Sequence, residues 1–132
     1  MDPERQLYMA AVDAFVEALR RMTLVRVARG STPHSAVVKR RSPEFVPMLF
    51  AESDPIALDL LREALVLRPE DDGGNWMEAG APTLTLVAGQ RDLMSMTVIG
   101  ETHLRLHGGA VWDAPLREPS ALGHWLSARM PD

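Results

Sequence analysis

The residues with the clearest chemical potential lie in one short stretch of the chain. Between Arg20 and Ser42 there are seven cationic side chains and no acidic one, although the chain as a whole carries a net charge of −4. Because this stretch carries a charge of +7, the rest of the chain has a net charge of −11. Such segregation is typical of an anion site, a partner-binding surface or an internal electrostatic clasp. We call this stretch the basic segment; its cations are Arg20, Arg21, Arg26, Arg29, Lys39, Arg40 and Arg41.

An anion site is one interpretation of the basic segment. Phosphate binding needs clustered cations with amide and hydroxyl donors, and the turn residues 30–35 contain glycine, serine and threonine. His34 lies in this turn, where a titrating ring would make anion binding sensitive to pH. The sequence contains neither the nucleotide-binding glycine motifs nor the G-x-S-x-G pattern of a nucleophile elbow. The segment therefore predicts at most a small-anion or phosphate site around His34, or a weak hydrolase there.

Nucleic acid is a less favoured partner for the basic segment. The segment contains no tryptophan, tyrosine or phenylalanine on which a base would stack. The acidic balance of the whole chain, with a pI near 5.5, also repels a polyanion. The alternative that the cations meet acidic residues within the fold, or across a dimer, stays open.

Metal and cofactor sites are not indicated. His103 and His107 share one side of a predicted strand, but about 13 Å of strand separates them, too far for one ion. The acidic run Glu70–Asp72 lacks the spacing of a calcium-binding loop. With no cysteine in the chain, thiolate sites are excluded. We expect no cofactor, no metal and, on balance, no catalytic activity.

Two tryptophans point to a protein partner. Trp76 and Trp112 each follow a pair of glycines, so each indole lies on a predicted loop. An indole in that setting either covers the core or anchors a partner. With the basic segment they complete the predicted binding residues, which are Arg26, Arg29, His34, Lys39, Arg40, Arg41, Trp76 and Trp112.

Length and composition bound the fold that must position these residues. A chain of 132 residues with 46% hydrophobic content predicts a single domain over 1–132 with one core. No apolar run approaches the roughly 20 residues needed to cross a bilayer, and the N-terminus lacks the order of a signal peptide. We therefore expect a cytoplasmic protein without membrane contact. Arginine outnumbers lysine 13 to 1, which is typical of a GC-rich genome and lowers the weight of any single arginine.

The N-terminal half predicts two helices and a hairpin. Apolar residues recur at helical spacing over about 4–22 and again over about 55–66. Between them, 23–29 and 36–40 have the composition of strands, and the turn residues that join them predict a hairpin. Pro47 limits the segment 44–51 to a short helix at best.

The C-terminal half carries the clearest strand pattern. Apolar and polar residues alternate around Leu84–Leu86, Met94–Val98 and Leu104–Leu106. A three-residue turn at Gly100–Thr102 keeps one face apolar, whereas a two-residue turn mixes the faces. A helix over about 119–129 follows, with Leu122, Trp125 and Leu126 expected to be buried. The predicted class is α+β, an antiparallel sheet (N-terminal hairpin plus C-terminal three-stranded meander) covered by three to four helices in two layers.

These features favour a non-catalytic protein-interaction module of the adaptor, inhibitor or immunity-like kind. Its partner would be another protein, or a second copy of the chain in a homodimer. The alternative is the small-anion or phosphate-binding protein with its site around His34.

Overall fold

The computed structural model describes residues 3–29, 48–68, 82–107 and 113–130. Within them lie three α-helices and six β-strands. In chain order these are α1 (Pro3–Arg21), β1 (Leu24–Ala28), β2 (Met48–Glu52), α2 (Pro55–Ala64), β3 (Thr83–Ala88), β4 (Arg91–Ile99), β5 (His103–Leu106), β6 (Ala114–Pro115) and α3 (Pro119–Ser127). The protein is therefore a mixed α+β protein, as its sequence predicts.

The six strands form one antiparallel sheet in the order β2-β1-β3-β4-β5-β6. The central strands contribute buried apolar side chains to one face of the sheet, among them Val25, Leu84 and Met96. They join the buried faces of all three helices in one hydrophobic cluster, to which Phe15, Leu61 and Trp125 belong. Burial of this shared apolar surface is the main force that holds helices and sheet together.

Strand β1 pairs with β2 on one edge and with β3 on the other, and the pairing with β2 corrects a prediction. Residues 48–52, expected to be at best a short helix, form strand β2 and pair with β1 through Val25↔Glu52 and Val27↔Phe50. The other edge of β1 is bonded to β3, and the strand predicted at 36–40 lies outside the described residues.

The register of β4 and β5 agrees with the three-residue turn. Val98 lies opposite Leu104 and Met96 opposite Leu106, so these four side chains share the buried face. Gly100 and Glu101 both take left-handed backbone conformations, with φ of 59° and 66°. The chain reverses here because Thr102 N donates to Ile99 O at 3.2 Å.

Helices α2 and α3 are joined by a hydrogen bond. Asp54 caps α2 by accepting a hydrogen bond from Ala57 N at 3.0 Å, and Pro55 occupies the first turn. Trp125 of α3 donates its indole N–H to Ala57 O at 2.8 Å. Leu122 and Trp125 are buried as expected, whereas Leu126 is only half-buried. No helix in the described ranges is long and apolar enough to cross a membrane.

Candidate functional site

Two of the eight predicted binding residues, Arg26 and Arg29, fall within the described residues. His34, Lys39, Arg40, Arg41, Trp76 and Trp112 lie outside them. Arg26 projects from β1 and forms an ion pair with Asp92 of β4, at 2.5 Å between guanidinium and carboxylate. Arg29 is exposed just after β1. The geometry therefore brings one predicted cation into an ion pair within the sheet and leaves another at the surface.

The first cation of the basic segment is also paired. Arg20 forms a salt bridge with Glu17 one helical turn earlier on α1. The hydrogen bond to Arg20 lowers the pKa of Glu17, and the same contact raises the pKa of the guanidinium. Both side chains are exposed, so the pair contributes little to stability. Two cations of the basic segment, Arg20 and Arg26, are therefore paired with acidic residues within the fold, as the clasp interpretation expects.

A row of hydroxyl groups runs across the polar side of β3, β4 and β5. Thr85 and Ser95 are hydrogen-bonded at 2.9 Å, and Thr83 and Thr97 at 3.1 Å. Thr97 Oγ1 lies 3.0 Å from His107 Nε2, which extends the row to a third strand. This side of the sheet is partly buried, since Thr83, Thr97 and Ile99 are buried. The hydroxyls offset the cost of burial by bonding to each other.

His107 lies at the end of this row in a half-buried position. Burial lowers the pKa of its imidazole, and the positive charge of Arg105 lowers it further. Arg105 itself forms a two-pronged ion pair with Asp113, at 2.9 Å from Nε to Oδ1 and 3.1 Å from Nη2 to Oδ2. The sequence places His107 and Arg105 on one side of a strand but gives no signal that Asp113 forms an ion pair with Arg105.

A threonine hydroxyl next to a histidine could in principle act as a nucleophile with its base. Here, however, a substrate cannot reach the hydroxyl of Thr97. Thr97 is 1% exposed, so its hydroxyl is closed to a substrate. That hydroxyl also bonds to Thr83, whose own hydroxyl lies in the buried interior of the row. Asp113 orients Arg105 rather than the imidazole. The arrangement therefore stabilises the sheet and presents no accessible nucleophile.

Metal-ligating side chains are not grouped in the part of the chain that the structure describes, where no set of three or more histidine, aspartate or glutamate residues converges. His103 and His107 lie four residues apart along β5 and its end. His103 Nδ1 is bonded to Thr102 Oγ1 at 2.7 Å, and His107 to Thr97. One ring nitrogen of each histidine is therefore engaged with a hydroxyl group.

Three large apolar side chains in the segment 48–60 are exposed. Met48 of β2 is 61% exposed, and Ile56 and Leu60 of α2 are 72% and 50% exposed. Ile56 and Leu60 are one helical turn apart, so they present one side of α2. Phe50, in the same segment, packs against Trp125, with ring centroids 5.9 Å apart. We call the exposed residues Met48, Ile56 and Leu60 of this segment the apolar patch.

The apolar patch is bordered by an ordered ion pair. Arg129 donates to Glu52 at 3.0 Å and lies 4.5 Å above the Trp125 ring. The backbone N–H of Asp54 donates to Glu52, which lowers the pKa of that carboxyl, and the bond from Arg129 adds to the effect. These contacts tie the end of β2 to α3 and fix the segment that carries the exposed apolar residues.

Comparisons with known proteins add no relative: no protein-family model matches the chain, and no curated protein or solved structure matches it.

Proposed function

We propose that this chain is a non-catalytic protein-interaction module of the adaptor, inhibitor or immunity-like kind. The observation that carries the proposal is the apolar patch, three large side chains at least half exposed within the segment 48–60. We infer that these side chains lie together on one surface, an arrangement that is typical of a protein–protein contact. As part of the same proposal, the chain is one cytoplasmic domain over 1–132 whose hairpin, meander and helices form two layers.

The basic segment precedes the apolar patch along the chain, and strand β2 begins seven residues after Arg41, its last cation. We infer that the same partner is bound by Arg29, His34, Lys39, Arg40 and Arg41, with Trp76 and Trp112 as aromatic anchors. Arg26 takes part less directly because it is paired with Asp92. An acidic partner with an apolar contact region matches this combination.

The alternative, a small-anion site around His34, has weaker support. An anion site needs several cations free to converge on one ligand. Arg26, which that site would use, forms an ion pair with Asp92 at 2.5 Å. We therefore favour the protein partner.

Site-specific photo-cross-linking tests the proposal and the surface together. A benzophenone amino acid is placed at Met48 or Leu60 in the native host, and in separate variants at Trp76 and Trp112. Val16 on α1 is the matched control because it is apolar and 58% exposed but lies outside the apolar patch. We expect the same cross-linked protein from positions 48 and 60 and none from position 16.

Two outcomes would overturn the proposal or redirect it. Equal cross-linking at position 16, or none at positions 48 and 60, contradicts a partner-binding surface here. A product of twice the chain's mass, containing only this protein, identifies the partner as a second copy.

A further inference from the structure

A groove lies between α3 and the turn that joins β4 to β5, away from the apolar patch. Its volume is about 550 Å³, within the range of small-molecule sites in proteins. Leu122, Leu126 and Met130 from the C-terminal helical region and Val98 from β4 form its apolar lining. Such a groove has the size for a small organic ligand.

The helix wall of this groove contains a residue that disfavours helix. Gly123 lies in the middle of α3 and lines the groove, and a Cβ atom built on it meets no atom within 4 Å. Packing therefore does not require glycine at this position, although glycine is a poor residue for a helix interior. The consequence of Gly123 is a wider groove with accessible helix backbone.

The turn wall contains a second residue in an unfavourable conformation. Glu101 has a φ of 66°, a left-handed conformation that glycine and asparagine adopt far more readily than glutamate. Its neighbour Gly100 takes the same conformation without that cost. Both positive φ values close the tight turn between β4 and β5, so the turn itself accounts for this conformation. The contribution of Glu101 to the groove is a carboxylate on the turn wall, while Gly123 leaves room on the helix wall.

The charge of the lining indicates which ligand would fit. Glu101 supplies a carboxylate and His124 an imidazole, and no arginine or lysine is among the described lining residues. Hydroxyl groups of Thr102, Ser120 and Ser127 add hydrogen-bonding capacity. A positively charged head group would pair with Glu101 while an apolar body contacts the leucines.

We propose that the groove between α3 and the β4–β5 turn binds an organic monocation with an apolar body, such as a primary alkylamine. Glu101 binds the cationic group, and the absence of a side chain at Gly123 provides room for the body. This site is separate from the proposed partner surface, so neither proposal depends on the other.

Titration of the isotope-labelled full chain with three six-carbon probes, followed by NMR at pH 8, tests this proposal. Hexylamine, hexanol and hexanoate share an apolar chain and differ in charge. We expect saturable shifts of the Glu101, Thr102 and Gly123 amide signals with hexylamine. Because an exposed ion pair is weak, hexylamine should bind only about threefold more tightly than hexanol. Hexanoate should bind least.

Two variants separate binding from stability. Gly123→Leu should raise Tm by about 4 °C, because leucine favours helix, while its side chain fills the groove and abolishes binding of hexylamine and hexanol. Glu101→Gln should reduce hexylamine affinity to that of hexanol and leave hexanol affinity unchanged. Ala14→Leu, an exposed helical position on α1 outside this groove, is the control and should bind as the wild type does.

The proposal is overturned by any of three results. These are an absence of saturable shifts with hexylamine, equal affinity for hexanoate, and wild-type binding by Gly123→Leu. Shifts spread over the whole surface would show nonspecific adsorption and would equally contradict it.

Discussion

At the scale of single residues, the ion pair between Arg105 and Asp113 is the strongest polar contact under the meander. Asp113 is 3% exposed and accepts two bonds from one guanidinium. Charge-assisted pairs with this geometry are short and directional. Because Asp113 is buried and Arg105 is partly exposed, replacing the carboxylate loses two charge-assisted bonds inside the fold.

Replacing Asp113 tests the importance of this contact. Asp113→Asn keeps the shape of the side chain and removes the charge, so we expect a loss of about 2 kcal/mol of unfolding free energy. Asp59→Asn is the matched control, because Asp59 is also paired with an arginine but its side chain is 75% exposed. Urea unfolding should show a change below about 0.5 kcal/mol for the control. Equal losses in the two variants would contradict the assigned role.

His107 predicts a pH dependence with a definite sign. Its folded-state pKa lies below the ordinary value of 6.5 because of burial and the charge of Arg105. Between the folded and unfolded pKa values the unfolded chain binds more protons, so stability falls as pH decreases through 6.5. Acidic residues with lowered pKa values, such as Glu17 and Glu52, act only at lower pH, below their ordinary value of 4.5.

The comparison of wild type with His107→Gln isolates this contribution. Glutamine retains a polar side chain that reaches Thr97 and does not titrate. We expect the wild type to lose more unfolding free energy than the variant between pH 7.5 and pH 5.5, as measured by urea unfolding. Parallel losses in both proteins would show that His107 does not carry the effect.

At the scale of elements, patterning predicts the strands that carry a regular alternation. Met96 and Val98 opposite Leu106 and Leu104 follow from the requirement that one face be apolar, and the structure has this register. Strand β2 has no such alternation in its sequence, and its burial does not alternate either. From Met48 to Glu52 the side chains are exposed, half-buried, half-buried, exposed and half-buried. Its conformation is set by pairing with β1, a tertiary contact that local sequence does not report.

The contact between α2 and α3 depends on one tryptophan. Trp125→Phe removes the bond to Ala57 O and part of the ring that packs against Phe50 and Arg129. We expect a loss of about 2 kcal/mol of unfolding free energy in a denaturant titration. Met130→Ala, an exposed position just beyond α3, should change stability by less than about 0.5 kcal/mol. An unchanged stability in Trp125→Phe would contradict the role of this contact.

At the scale of the whole molecule, the sequence predicts the α+β fold class better than it predicts which residues form a binding surface. Arg26 was predicted as a binding residue, but its pairing with Asp92, a residue far along the chain, depends on strand order. The apolar patch was not predicted, because Ile56 and Leu60 fit the amphipathic pattern of a buried helix face. The exposure of a helical side chain depends on which elements pack against the helix, and the periodicity of the sequence does not show which elements these are.

Affinity capture from native-host lysate, with nuclease treatment, tests the central claim most directly. The wild type, Arg40→Glu/Arg41→Glu and Arg117→Glu are compared as baits, Arg117 being an exposed cation outside the basic segment. We expect one stoichiometric protein with the wild type and with Arg117→Glu, surviving nuclease, and its loss with the double variant. A wild-type bait that captures nothing, or a product that disappears with nuclease, would contradict the assignment as a protein-interaction module.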